Sequence, residues 1–194
     1  SNHCHLIVTD VEAQLPAFMQ YLDSLVARAV NASLGRFEGF WATDGSYSAV
    51  EPLDPADVVA KTAYVLANPV AAGLVRRGAE WPGLWTAPEQ IGVAKVTARR
   101  PKVFFDPRSY LPEAVELELV PPGSFASGEE FRTLVSGALR DLEEKHQQEV
   151  ASEGRRFLGA ARVLAQDPFA RPPAGEPRLR VSHRAAGEVC VMFH

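Results

Sequence analysis

The chain contains little cysteine and no long hydrophobic run. Its two cysteines, Cys4 and Cys190, stand near opposite ends of the 194 residues. That spacing gives neither a disulfide framework nor a CxxC zinc site. No apolar run reaches the roughly 18 residues that a membrane-spanning helix needs, and no signal-peptide pattern opens the sequence. These absences predict a cytoplasmic protein that does not enter a membrane.

An excess of positive charge is also absent. The formal net charge is −4, whereas proteins that bind nucleic acids mainly through phosphates usually carry a basic balance. Against this trend, one segment concentrates basic side chains at Lys95, Arg99, Arg100 and Lys102. Two interpretations of the segment stay open: a surface that follows a phosphate backbone, or a solvated face of a strand and its loop.

Enough apolar content is present for one core. With 46% hydrophobic residues, the chain predicts one compact domain followed by an extension. Apolar spacing and end signals predict three helices. The first covers residues 15–34 and ends at Gly35. The second begins after Asp54-Pro55, and the third begins at a capping box of Ser127 and Glu130. Strands are predicted at about 3–9, 91–97, 103–105 and 115–120.

These elements predict an α+β protein in three parts. Residues 1–88 form the first part, residues 89–170 form an extension with a small sheet and a long helix, and residues 171–194 form a tail. The long helix is expected to reach about residue 149, with a shorter helix near 156–166. Prolines and a glycine at 172–175 indicate that the tail lacks regular structure.

Two histidines one residue apart, His3 and His5, lead into the apolar run Leu6-Ile7-Val8. In a strand, alternate side chains share a face, so the Cα atoms of the two histidines would lie roughly 7 Å apart. Both imidazoles could then reach one metal ion while Cys4 points away. The alternative is that the two histidines belong to a solvated chain end, because the motif is short.

A second segment lies about 60 residues downstream and reads A-Y-V-L-A-N-P-V-A-A-G-L-V from Ala63 to Val75. With the N-H-x-H-L start, it resembles the single-tyrosine transposases of the HUH superfamily, in the branch of REP-associated tyrosine transposases. Members of that branch carry an N-H-x-H-L strand and a later Y-x-x-x-N-P-x-x-A-G-L-V segment. The resemblance covers roughly residues 1–86. It implies a ferredoxin-like sheet with helices, and an HUH/tyrosine domain in residues 1–88.

The resemblance also implies a chemistry and its residues. Tyr64 would be the nucleophile, and it would form a covalent 5′-phosphotyrosine while a 3′-hydroxyl is released. His3 and His5 would hold Mg²⁺ or Mn²⁺, which favours the phenolate and draws charge from the phosphate. On a helix, Asn68 would share a face with Tyr64 and serve as a third ligand. Asn68 before Pro69 is equally typical of a helix N-cap.

The expected partners are single-stranded or hairpin DNA and a second copy of the chain. In the family, a strand and a helix precede the histidine strand. This sequence departs from that pattern because it starts at the histidine strand. The sheet is therefore expected to be incomplete at its N-terminal side. Two alternatives follow: a catalytically inactive relative that only binds nucleic acid, and an unrelated metal-binding or interaction module.

Overall fold

A computed structural model describes residues 4–41, 47–102, 104–170 and 188–193. Helices and strands alternate irregularly along it, and the protein is α+β, as predicted. In chain order the elements are β1 (His5–Thr9), α1 (Leu15–Leu34), β2 (Tyr47–Val50), α2 (Pro55–Ala71), β3 (Lys95–Arg99), β4 (Ala114–Glu118), α3 (Gly128–Ser152), α4 (Ala160–Leu164) and β5 (Glu188–Phe193). None of the helices in these ranges combines the length and apolar character of a membrane span.

The elements belong to two compact units. The sheet unit comprises Ser1–Pro52, Gly92–Val120 and His183–His194. The helical unit comprises Leu53–Ile91 and Pro121–Ser182. Each unit is therefore assembled from segments that are distant in sequence.

In the sheet unit, three strands form an antiparallel sheet in the order β1-β5-β2. The last strand of the chain is thus the central one, and Val191 is opposite Leu6 on one side and Ala49 on the other. The sequence pattern predicts a tail without regular structure in residues 171–194, and this prediction is wrong for the residues of β5. The pairing partners of β5 lie near the other end of the chain, so no local sequence signal predicts this strand.

Helix α1 covers one face of this sheet. Met19 is fully buried, and Leu6 and Val8 of β1 pack against it. At the start of the helix, the Asp10 carboxylate accepts hydrogen bonds from the backbone N–H groups of Gln14 and Leu15. It ends at Gly35, whose φ of 62° is the left-handed conformation that glycine adopts without strain. The predicted bounds of this helix are confirmed.

Strands β3 and β4 form a separate two-stranded antiparallel sheet. Val96 pairs with Leu117 and Ala98 pairs with Val115, so one face of the hairpin is apolar. Phe104 and Phe105 lie in the connection between the strands, in a turn and a bend, and not in the strand predicted at 103–105. Residue 103 is outside the described residues.

The helical unit is built by α2 packing on α3. Their facing sides share one buried apolar cluster, which comprises Val58, Ala63, Leu66, Ala67, Ile91, Phe131, Val135 and Leu139. Both helices begin at the predicted caps. The Asp54 carboxylate accepts from the Asp57 N–H, and the Ser127 hydroxyl accepts from the Glu130 N–H. These caps and the apolar spacing agree with each other, which is why both helices follow from the local sequence.

Two side chains of α3 form hydrogen bonds with the backbone of the turn after α2. The Glu143 carboxylate accepts from the Gly78 N–H at 2.7 Å, and the Gln147 amide donates to the Arg76 carbonyl at 2.8 Å. A side chain at position 78 would meet the Leu66 carbonyl oxygen, because a Cβ there would lie 2.6 Å from it. Glycine is therefore required for the close approach of this turn to α2.

Candidate functional site

The outward face of α2 carries the predicted nucleophile. Ala63, Leu66 and Ala67 are buried against the unit's core, and this fixes the rotation of the helix. Tyr64 consequently lies on the side that faces solvent, with 43% of its surface exposed. A phenol in this position can be reached by a large substrate such as a nucleic acid strand.

Asn68 lies one helical turn after Tyr64 and is half-buried. Helix α2 continues through Pro69 to Ala71, and the Asn68 carbonyl accepts a hydrogen bond from the Ala72 N–H at 3.0 Å. Asn68 is therefore inside the helix and does not cap a second one. Of the two interpretations of the sequence, only the shared face with Tyr64 agrees with this geometry, since residues four apart are neighbours on a helix surface.

Lys61 lies one turn before Tyr64 on the same helix, and the sequence interpretation missed it. It is half-buried, and it is the only Lys or Arg in α2. No ion pair involves it within the described part of the chain. Its three-residue spacing from Tyr64 is the signal that could have identified it, because residues three apart occupy neighbouring positions on a helix surface.

The predicted metal ligands are distributed over the two units. His5 lies half-buried in β1 of the sheet unit, whereas Asn68 belongs to the helical unit. Because Leu6 and Val8 face α1, strand alternation places His5 on the opposite face of β1. His3 lies outside the described residues. Among the described residues, no three or more His, Cys, Asp or Glu side chains form a group that could hold a metal ion.

The donor chemistry of His3, His5 and Asn68 suits a divalent metal ion. Imidazole nitrogens and an amide oxygen are accepted by Mn²⁺, and oxygen ligands are preferred by Mg²⁺. The pairing of the two imidazoles on one strand face stays a prediction.

The other face of β1 holds a different pair of polar groups. Asp23 of α1 is only 5% exposed, and neither of its carboxylate oxygens has a hydrogen-bond partner within the described ranges. The pKa of the solvent-accessible Cys4 thiol is raised, first by partial desolvation and then by the Asp23 charge. A raised pKa keeps the thiol protonated at neutral pH.

The four predicted DNA-binding side chains are placed in and beside β3. Lys95 forms ion pairs with Glu116 at 3.6 Å and with Glu118 at 3.0 Å. Arg100 donates to the carbonyls of Ser109 and Leu111. Arg99 and Lys102 are exposed. Two of the four cations are thus engaged within the hairpin and its connection, and two are directed to solvent.

The arrangement on α2 brings a nucleophile, a cation and an amide onto one accessible helix face. A phenol oxygen is a nucleophile for phosphorus or carbonyl carbon, and a neighbouring cation can contact the oxygens of a phosphate. No protein-family model, curated protein or solved structure matches this chain. The chemistry of Lys61, Tyr64 and Asn68 therefore carries the functional argument.

Proposed function

We propose that the protein cleaves and rejoins single-stranded or hairpin DNA, as a transposase of the HUH type does, with Tyr64 as the nucleophile. The observation that carries this proposal is the position of Tyr64 on the solvent-exposed face of α2, between Lys61 and Asn68. The ferredoxin-like arrangement of the sheet, the metal ion and the dimer implied by the resemblance belong to the same proposal.

The proposed step is a transesterification at a backbone phosphate. The Tyr64 phenolate oxygen attacks phosphorus, forms a Tyr–O–P bond and breaks the bond from phosphorus to the 3′ oxygen. The departing 3′ oxygen takes a proton and becomes a hydroxyl. The number of phosphoester bonds is unchanged, so the reverse attack by a 3′-hydroxyl can rejoin DNA without ATP.

Two features would assist this step. The Lys61 ammonium would neutralise charge on a phosphate oxygen, because a cation placed near developing negative charge stabilises it. His3, His5 and Asn68 would hold a divalent ion, which supplies Lewis-acid polarisation of the phosphate when it is bound. Half-burial of Lys61 would strengthen its attraction for a phosphate, since charges interact more strongly away from bulk water.

A covalent adduct tests the proposal. The protein is incubated with labelled hairpin DNA and Mn²⁺ or Mg²⁺, and a protein–DNA species that resists denaturation is sought on a gel. We expect the adduct in the wild type and its complete loss in Tyr64→Phe. Tyr21→Phe is the matched control, because Tyr21 is 60% exposed on α1 and should leave the adduct unchanged.

Lys61→Gln sharpens the same experiment. This variant should slow adduct formation by about 100-fold at neutral pH, a typical contribution of one electrostatic group near a reacting centre. An adduct that persists in Tyr64→Phe, or binding of DNA without any adduct, would contradict the proposed chemistry. The second outcome would favour an inactive relative that only binds nucleic acid.

A further inference from the structure

Helix α3 carries a second polar surface, separate from the Lys61–Tyr64–Asn68 face. Side chains at positions 132, 136 and 140 follow one another at four-residue intervals, so they form a stripe along one side of the helix. A shallow cavity of about 350 Å³ opens on this stripe, and it is lined by Glu89, Arg132, Thr133, Ser136 and Arg140. We name this surface the α3 cavity.

The two arginines of the α3 cavity are held by the backbone of their own unit. Arg132 donates from one terminal nitrogen to the Ile91 carbonyl at 2.9 Å. Arg140 donates from Nε to the Ser136 carbonyl at 3.4 Å. Neither guanidinium forms an ion pair within the described residues. A guanidinium has five N–H donors, so each retains several for a ligand.

The chemistry of the lining selects an oxyanion. Two guanidinium groups face a single carboxylate, that of the exposed Glu89, so the local balance is positive although the whole chain is acidic. The Thr133 and Ser136 hydroxyls add neutral donors. Planar N–H pairs and hydroxyls are the groups that bind phosphate oxygens in proteins.

The length of the stripe indicates more than one phosphate. Arg132 and Arg140 are eight residues apart, which corresponds to roughly 12 Å along a helix axis. Two phosphates of one strand, with another phosphate between them, can therefore contact the two arginines. We infer that the α3 cavity binds the phosphate backbone of a single-stranded nucleic acid. The choice of a nucleic acid rests on the proposed function, whereas the preference for phosphate rests on the lining.

Salt-dependent binding tests this inference without using the covalent step. The full chain carrying Tyr64→Phe is titrated into a fluorescent hairpin oligonucleotide across a series of NaCl concentrations. Adding Arg132→Gln and Arg140→Gln together should weaken binding about ten-fold. The slope of log K against log salt should fall by about 1.4 in magnitude, because each lost contact to a single strand removes about 0.7.

A single substitution and a matched control separate the site from a general charge effect. Arg140→Gln removes one exposed charge and leaves the Arg132–Ile91 hydrogen bond intact, so it keeps the fold. Lys145→Gln removes one charge from the same helix outside the cavity, where Lys145 pairs with Glu149 at 3.9 Å. We expect a three- to four-fold loss for Arg140→Gln, which is the square root of the ten-fold double effect, and little change for Lys145→Gln.

The result that would overturn the inference is an equal effect of Arg140→Gln and Lys145→Gln on affinity and salt slope. Competition distinguishes the ligand: if inorganic phosphate displaces the oligonucleotide at equal phosphate concentration, the cavity is a free-phosphate site and the nucleic-acid assignment is wrong. Failure of the proposed function is seen elsewhere, as absence of the Tyr64 adduct. An Arg140-dependent salt slope without an adduct leaves the α3 cavity in place and removes only the covalent chemistry.

Discussion

Among the side chains whose burial the structure describes, which exclude those of β5, the helical unit buries many more hydrophobic residues than the sheet unit. Among the described residues, twelve hydrophobic side chains are buried, and Met19 is the only one of them in the sheet unit. The eleven others lie in the helical unit, and eight of them form a single cluster that joins α2, α3 and Ile91. Burial of apolar surface is the main favourable term in folding, so these eleven side chains are the expected main source of stability in the helical unit.

The two units are assembled in different ways. In the helical unit, side chains pack between two capped helices. In the sheet unit, β5 pairs with both β1 and β2 and joins them into one sheet. The candidate groups of the proposed function are divided between the units, with His5 in one and Tyr64 in the other.

Each unit carries an indole that reports on it. In the sheet unit, the Trp41 Nε1–H donates to the Asp23 carbonyl of α1 at 2.9 Å. In the helical unit, the Trp85 Nε1–H donates to the Leu66 carbonyl of α2 at 3.0 Å. The two indole N–H resonances in an NMR spectrum therefore distinguish loss of one unit from loss of both.

Interrupting the central strand should have the largest effect. Val191→Pro removes a backbone N–H from β5, and every N–H of a central strand donates to one neighbouring strand or the other. We expect a destabilisation above about 4 kcal/mol, which is typical of a disrupted structural centre. The Trp41 signal should lose protection while the Trp85 signal keeps it. Val191→Ala, which retains the N–H, is the control; equal behaviour of the two variants would show that the backbone pairing of β5 is not what holds the sheet unit.

Truncating the centre of the helical unit should have the next largest effect. Phe131 is 2% exposed and packs among the cluster residues of α2 and α3. Phe131→Ala should lower the free energy of unfolding of the helical unit by about 4 kcal/mol, since the transfer energy is lost and a cavity remains. Denaturant unfolding followed at the Trp85 indole measures it. Leu134→Ala, at a position 46% exposed on the same helix, should cost about 1 kcal/mol or less; a similar loss for both variants would contradict the assigned core.

The same contrast explains how much of the fold the sequence predicts. Helix α1 ends where Gly35 indicates, and α2 and α3 begin at Asp54 and Ser127, because caps and apolar spacing are local signals that tertiary packing reinforces here. Strand β5 was not predicted, because its partners are far along the chain and sheet order is set by non-local pairing.

The candidate site shows the same limit at the level of side chains. The motif identified Tyr64, and the spacing placed Asn68 on the same helix. The sequence left Asn68 open between a metal ligand and an N-cap because a proline follows it. The structure excludes the cap, because α2 continues through Pro69 near its last turn, and the ligand role stays a prediction. Lys61 was missed since nothing in the motif includes it. The packing of α2 against α3 determines which face of α2 is accessible. The sequence of α2 alone does not determine that packing.

The smallest expected effect concerns the start of α1 and depends on pH. The pKa of Asp10 is lowered, first by the hydrogen bond from the Gln14 N–H and then by that from Leu15. A carboxylate with a depressed pKa in the folded state contributes stability above its ordinary pKa, and this contribution is lost as pH falls through the folded-state value. Asp10→Asn should therefore destabilise the sheet unit at neutral pH, and its difference from the wild type should shrink as the solution is acidified below the ordinary range of aspartate. Unfolding curves at several pH values, followed at the Trp41 indole, measure this difference. A difference that stays constant down to acid pH would mean that the charge of Asp10 does not stabilise the helix, and that only the shape of its side chain matters there.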